Sequence, residues 1–343
     1  MKALTKVSTG YDNMELLEVD EPVVAGDKVK VRVHFTGICG TDIHTFKGEY
    51  ANAKVPLVLG HEFSGEVVEV GPEVTKVKIG DKVVSETTFN TCGECIYCQE
   101  KDYNLCGSRQ GVGTQVPGSL AEYVLCREES VHKVADHVSY EAASLMEPIA
   151  CCVHAALEKT TIEKDDVVLI IGPGPIGLLL AQIVKAFGAT VVMSGITKDV
   201  PRLQVAKKLG IDHVVDTQTE DLEKVVMGVT NGYGADKVFD CSGVIQAVNA
   251  ALPLTKKKGH FVQVGIFAER FNALDQESIV QREIEYIGCR SQKPSSWRTG
   301  LELLEAGKIN VDKLITKIVS LDDWREGFEA AISGDELKVL IKS

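Results

Sequence analysis

Cys92, Cys95, Cys98 and Cys106 form a C-x2-C-x2-C-x7-C lobe. Four thiolates at this spacing, in a loop turned by Gly93 and Asn104, can close a tetrahedral site with sulfurs about 2.3 Å from one Zn²⁺. With no position left open, that ion would be structural. Four unrelated buried cysteines explain the two-residue gaps poorly, and the Cys-Pro ending of a ferredoxin-type cluster is missing.

A second set of donors is split between two glycine-bracketed loops, each next to a β stretch. Cys39 lies in Gly37-Ile-Cys-Gly-Thr-Asp-Ile-His44, and His61 and Glu62 lie in Gly60-His-Glu-Phe-Ser-Gly65. Alone, each would pass for an ordinary core cysteine or a hydrogen-bonded histidine. Together, a thiolate, an imidazole and a carboxylate can hold a Lewis-acid ion whose remaining position takes water or an alcohol oxygen. Oxygen-rich ligation weakens the preference for Zn²⁺ over Mn²⁺ or Co²⁺. Asp42 is placed to orient His61.

Gly172-x-Gly174-x-x-Gly177 lies between a buried-strand run, Val167 to Ile171, and apolar positions at helical spacing that end at Gly188. In that context backbone NH groups and the helix N-terminus hold a pyrophosphate. The dinucleotide fingerprint expects an acid about 20 residues on, at the ribose 2′-hydroxyl. Here Gly195 stands in that place, with Ser194, Thr197, Lys198 and Arg202 around it. The missing carboxylate opens the site to a 2′-phosphate and hence to NADP. The alternative is strict NAD use with Asp199 reaching back to the ribose.

These motifs need a scaffold, and the chain supplies two kinds. From Val29 to about Val134, short β-rich stretches alternate with Gly, Pro and Asn turns: Val29 to Phe35, Gly65 to Val70, Lys82 to Thr87 and Leu120 to Leu125. From Asp165 the rhythm becomes strand and helix. Strands are expected at Thr190 to Ser194, His213 to Asp216, Lys237 to Cys241 and His260 to Gly265, with helices at Pro201 to Leu209, Asp221 to Thr230 and Ile245 to Leu254. The expectation is an α/β protein, an irregular β-rich domain joined to a doubly wound parallel sheet. A β stretch (Glu283 to Cys289), helices at Trp297 to Ala306 and Asp322 to Ser333, and a strand at Lys338 to Ile341 follow, the last elements returning to the first domain. The expected division is 1–153 with 290–343, and 154–289.

At 343 residues, 44% hydrophobic and 25% charged, the chain excludes both a stapled mini-protein and a disordered one. A net charge of −12 argues against nucleic acid and anionic membranes as partners. The N-terminal stretch has no apolar core of a signal peptide, so the reading is cytoplasmic with reduced thiols.

The order G-x-C-G-T-D-x-H, G-H-E-x-x-G, cysteine lobe and G-x-G-x-x-G resembles the medium-chain zinc-dependent dehydrogenases over nearly the whole chain. The resemblance implies a GroES-like catalytic domain and a Rossmann nucleotide-binding domain. It implies a catalytic metal on Cys39, His61 and usually Glu62, with Glu147 of Glu147-Pro-Ile-Ala150 where other alcohol dehydrogenases use a cysteine, as in the sorbitol and threonine dehydrogenase branch. Glu147 either ligates the metal or only neighbours it. Thr41 and His44 resemble the family's proton relay through the cofactor ribose. Gly172, Gly174, Ile176, Gly177, Gly195, Thr197, Lys198, Arg202, Val264, Gly265 and Arg290 are the implied cofactor contacts, and a homodimer or homotetramer is implied.

Gly37 to Tyr50 and Glu277 to Gln292 are similar to the polyol-phosphate dehydrogenases of this branch, above all those acting on D-arabitol phosphate. Lys47, Arg109 and Arg290 are then candidate phosphate partners. The expected activity is oxidation of a secondary alcohol of a polyol or polyol phosphate to a ketose or ketose phosphate with NAD or NADP. Alternatives are a threonine or unphosphorylated sorbitol-type enzyme, or a non-enzymatic nucleotide-binding relative.

Overall fold

The computed structural model describes residues 1–343, which divide into two compact units. The first comprises Met1–Ala150, Gln292–Ala306 and Val311–Ser343, and the second Cys151–Ser291 and Gly307–Asn310. No helix is long and apolar enough to cross a membrane.

The first unit is built on a seven-stranded sheet. Its strands run in the order Val131–Lys133, Lys82–Ser85, Glu62–Val70, Lys28–Gly37, Lys338–Lys342 and Ile315–Ser320, and Tyr123–Arg127 also pairs with Lys28–Gly37. Val29, Val31 and Val33, two residues apart, face one side and pack on Phe63, Val67, Val83 and Val124. Each such side chain contributes roughly 1.5–3 kcal/mol relative to exposure. A second core joins the helices Gly40–Lys47 and Trp324–Ser333 through Phe46, Leu59, Leu120, Trp324 and Phe328.

The helix Gly40–Lys47 is absent from the sequence reading, because glycine and β-branched residues give it little propensity. Its ends supply what propensity does not. The Asp42 carboxylate accepts the Cys39 backbone N–H at 2.9 Å, and Gly48 closes the last turn at φ +78°. A Cβ on Gly48 would also lie 2.6 Å from the Gly10 backbone, so this position excludes a side chain twice over.

The second unit carries six parallel strands in the order His213–Asp216, Thr190–Gly195, Val167–Ile171, Ala235–Asp240, Thr255–Gln263 and Glu285–Gly288. This is the doubly wound sheet that the strand–helix alternation predicts, with its order reversing at Val167–Ile171. The helix Gln276–Arg282 was not expected, since its sequence offers no apolar stripe. Glu283, in the left-handed region at φ +51°, ends it and delays the last strand to Glu285.

Candidate active site

Three strands meet at one glycine. Gly37 pairs with Glu62 on one side and with Leu340 on the other. Cys39 follows Gly37 and caps the helix Gly40–Lys47, while His61 directly precedes the strand Glu62–Val70. The donor atoms of Cys39, His61 and Glu62 thereby lie within 4.8 Å of one another, in a largely buried setting. Asp42, wholly buried, accepts the backbone N–H groups of Cys39 at 2.9 Å and of Gly60 at 3.2 Å, tying the two donor loops together. Its carboxylate lies 3.9 Å from His61 Nδ1, beyond hydrogen-bond reach, so it positions His61 through the loop backbone.

Glu147, the second residue of the helix Met146–Val153, stands outside the 4.8 Å group but is close enough to act on His61 electrostatically. Its Oε1 accepts a hydrogen bond from Gln292 Nε2 at 3.2 Å. The same Nε2 donates at 2.9 Å to Thr87 Oγ1, which Arg109 Nη2 also reaches at 2.7 Å. Arg109, a sequence candidate for phosphate, is thus linked through Thr87 and Gln292 to Glu147.

The cluster holds negative groups together and demands positive charge. Burial lowers the His61 imidazolium, but Cys39, Asp42 and Glu147 outweigh it and raise His61 well above its ordinary value. Burial and then Glu62 raise the Cys39 thiol. His61 Nδ1 is buried with no hydrogen-bond partner. A soft sulfur, an imidazole with an orphaned nitrogen and a carboxylate form a donor set that a divalent ion suits, and such an ion would hold the thiol as thiolate.

Lys338 is the residue that sequence reasoning missed. Its Nζ contacts the Glu62 carboxylate and donates to the Ile38 carbonyl at 3.0 Å. Burial disfavours its charge, yet Glu62, Cys39 and Glu147 hold its pKa above the ordinary value. Gly37 makes room for this contact, since a Cβ there would lie 2.6 Å from Glu62 Oε2 and 2.8 Å from Lys338 Cε. Gln292 was also missed as a partner of Glu147. A lysine starting a Val-Leu-Ile strand carries no local signal of such a role.

On the helix that Cys39 caps, Thr41 is half-buried and His44, three residues on, is exposed with Nδ1 2.8 Å from Glu49 Oε2. Lys47, half-buried, ends the same helix.

The cysteine lobe brings its four sulfurs to 3.6–3.8 Å contacts: Cys95 to Cys98 at 3.6 Å, Cys106 to Cys92 at 3.7 Å and Cys92 to Cys98 at 3.8 Å. A disulfide needs about 2.05 Å, whereas a tetrahedron with arms of about 2.3 Å has edges of about 3.8 Å. The Glu94 and Cys95 N–H groups pull the Cys92 thiol down to about 6, favouring thiolate. These residues fit a structural zinc.

In the second unit, Gly172 turns at φ +96°, Gly174 caps the helix Pro175–Ala186, and a Cβ on Gly177 would lie 2.0 Å from the Gly172 carbonyl oxygen. Ile176 sits in the first turn of that helix. Gly195 ends its strand beside Pro173. Thr197 Oγ1 donates to Asp216 at 2.8 Å and Asp199 accepts the Ile196 N–H at 3.1 Å, while Lys198 is exposed and Arg202 half-buried. Val264 and Gly265 follow the strand Thr255–Gln263, and Arg290 follows Glu285–Gly288.

Residues 25–136 match the alcohol dehydrogenase GroES-like domain family, and residues 175–306 the zinc-binding dehydrogenase family. The chain belongs to the zinc-binding medium-chain dehydrogenases. It is 58% identical to D-arabitol-phosphate dehydrogenase of Enterococcus avium, covering all of this chain and 97% of that one. It is 46% identical to sorbitol dehydrogenase of Halalkalibacterium halodurans, over 99% of each. Its fold superimposes on a zinc-binding dehydrogenase of Sinorhizobium meliloti bound to NADP, with a TM-score of 0.92, 30% identity and coverage of 100% and 99%. This dehydrogenase therefore has the GroES-like and Rossmann architecture and belongs to the zinc-binding dehydrogenase class that its motifs predict.

Proposed function

We propose that this dehydrogenase oxidises a secondary hydroxyl of a polyol phosphate of the D-arabitol-phosphate type to the ketose phosphate, with NADP or NAD. The observation that carries the proposal is the buried convergence of Cys39, His61 and Glu62, with Glu147 held by Gln292 at its margin. The 58% identity to a D-arabitol-phosphate dehydrogenase supports the substrate class.

In this reading Cys39, His61 and Glu62, with or without Glu147, hold the catalytic metal, and Cys92, Cys95, Cys98 and Cys106 hold the structural zinc. When bound, the catalytic ion supplies Lewis acidity to the alcohol oxygen and the dinucleotide accepts the carbinol hydride. Thr41 Oγ1 accepts the hydroxyl proton as it passes its own on, and His44, exposed and steadied by Glu49, delivers a proton to solvent. Arg109 and Lys47 are the first unit's candidates for the substrate phosphate, and the Arg109–Thr87–Gln292–Glu147 chain would couple such recognition to the metal site. Gly172, Gly174, Ile176 and Gly177 cradle the pyrophosphate. Gly195, Thr197, Lys198 and Arg202 surround the adenosine ribose, and Val264, Gly265 and Arg290 the nicotinamide half. The expected domains, 1–153 with 290–343 and 154–289, differ from the two compact units by two or three residues at each junction and by the 307–310 segment, and in this reading the enzyme works in the cytoplasm as a dimer or tetramer.

A turnover screen of free and phosphorylated pentitols and hexitols with both cofactors tests the proposal. A polyol phosphate should give the highest kcat/KM, and substrate deuterated at the oxidised carbon should give deuterated reduced cofactor. Preference for sorbitol or L-threonine would overturn the substrate, and failure of direct deuterium transfer would overturn the hydride chemistry.

A further inference from the structure

Asp240, the last residue of the strand Ala235–Asp240, is fully buried and accepts six hydrogen bonds. Its carboxylate takes the Ser242 N–H at 3.0 Å, the Ser242 hydroxyl at 2.6 Å, the Gly243 N–H at 3.0 Å and Gln263 Nε2 at 2.5 Å. Its backbone carbonyl takes the N–H groups of Val264 at 3.0 Å and Gly265 at 2.8 Å. One residue thus fixes the loops that leave two adjacent strands. Gln263 extends the network, with Nε2 donating to the Gly265 carbonyl at 2.7 Å and Oε1 accepting from the Tyr286 hydroxyl at 2.7 Å.

The two loops touch backbone to backbone. A Cβ on Gly243, at φ +65°, would lie 2.3 Å from the Ile266 carbonyl oxygen, and one on Gly265 would lie 2.4 Å from Gly243 N. On its other side the Ser242 loop borders the fingerprint turn, where a Gly172 Cβ would meet Ser242 Cβ at 3.2 Å. Strand order says what this platform would carry. A dinucleotide spans the point where the order reverses, at Val167–Ile171. The Gly195 turn lies on the Thr190–Gly195 side and takes the adenosine ribose. The other half of the ligand must then lie across the ends of Ala235–Asp240 and Thr255–Gln263, where Asp240 sits.

We propose that Asp240 is the positioning residue for the nicotinamide half of the cofactor, acting by clamping the Ser242–Gly243 and Val264–Gly265 loops into one platform. The inference rests on the dinucleotide reading of this unit. A carboxylate is required because four donors converge on its two oxygens; an amide in its place offers one oxygen and turns two N–H donors on the remaining pair. Gln263 can flip to meet that amide, but the backbone N–H groups of the 242–243 loop cannot.

The test compares a whole cofactor with one lacking the nicotinamide, on the full-length enzyme. Binding of NADPH and 2′-phospho-ADP-ribose, and of NADH and ADP-ribose, is measured by calorimetry for wild type, Asp240→Asn, Ser242→Ala and Gln263→Leu. Asp240→Asn should weaken the intact cofactors about tenfold and leave the nicotinamide-free ligands within about twofold, with kcat falling more than KM for the alcohol rises. Ser242→Ala and Gln263→Leu, which keep the carboxylate, should show the same selectivity at about threefold and serve if Asp240→Asn does not fold. Equal weakening of intact and truncated ligands, or no weakening, would overturn the proposal. A wild type that binds none of the four would overturn the dinucleotide reading itself.

Discussion

The ammonium of Lys338 lies against the carboxylate of Glu62, each with 5% or less of its side chain exposed, in the gap left by the missing side chain of Gly37. Such a buried pair does little for stability while intact, but removing one partner strands the other charge at about 3–5 kcal/mol. Lys338→Met should therefore destabilise the metal-free protein by about that amount and the metal-loaded protein by much less, because a bound cation also compensates Glu62. Thermal unfolding with and without chelator reads the difference. Equal destabilisation of both forms would mean that Lys338 acts by packing alone.

Removing one thiolate from the cysteine lobe should act on folding before chemistry. Cys98 is buried and within 3.6–3.8 Å of Cys95 and Cys92. Cys98→Ser should lose one zinc per chain and lower Tm, since structural zinc contributes binding free energy to folding. Elemental analysis beside a melting curve checks this. A Cys98→Ser protein with wild-type zinc and Tm would dismiss the lobe as a zinc site.

Cofactor choice should turn on Gly195. Its backbone is not left-handed, and a Cβ would meet Pro173 and Asp199 at 3.0–3.1 Å, so small shifts admit a side chain. Gly195→Asp would set a carboxylate where a 2′-phosphate falls, and like charges about 5 Å apart at an effective dielectric of about 20 repel by about 3 kcal/mol. KM for NADP should rise at least about tenfold, with that for NAD unchanged or lower. Equal changes for both would place the adenosine ribose elsewhere.

Acid should weaken the second unit through Asp236. Burial raises this carboxyl, but Lys256 at 2.6 Å and the Val167 N–H at 2.9 Å outweigh it and hold the folded pKa below the ordinary value. A depressed carboxyl contributes stability that is present above its unfolded pKa of about 4 and is lost as pH falls through the folded value. Asp236→Asn should cost about 1 kcal/mol at pH 7, a figure that allows for solvent screening of Lys256, and nothing at the lowest pH where the protein is folded. Denaturant midpoints across pH measure it, and a cost that grows on acidification would contradict the assignment.

The parts of this protein legible from sequence are those made locally. The Gly172–Gly177 turn needs only a strand, three glycines and a helix, and Val167–Ile171 is found where the apolar run predicts it. The lobe is likewise one short loop. What was hidden arrives from afar: Lys338 reaches Glu62 only because Leu340 pairs with Gly37, and Gln292 reaches Glu147 from the distant chain segment that rejoins the first unit. Asp240 escaped notice because three of its six hydrogen bonds, those from Gln263, Val264 and Gly265, become visible only when two strand ends lie side by side.

The pairing of Leu340 with Gly37 also sets a timetable. Ribosomes make Cys39, His61 and Glu62 early, and they make the strand that carries Lys338 only after the whole second unit has been synthesised. Until then the growing chain holds a thiol and carboxylates with neither their lysine nor their final strand neighbour. During that interval Glu62 lacks the buried ammonium that later compensates it, whereas the cysteine lobe is complete within its own short loop.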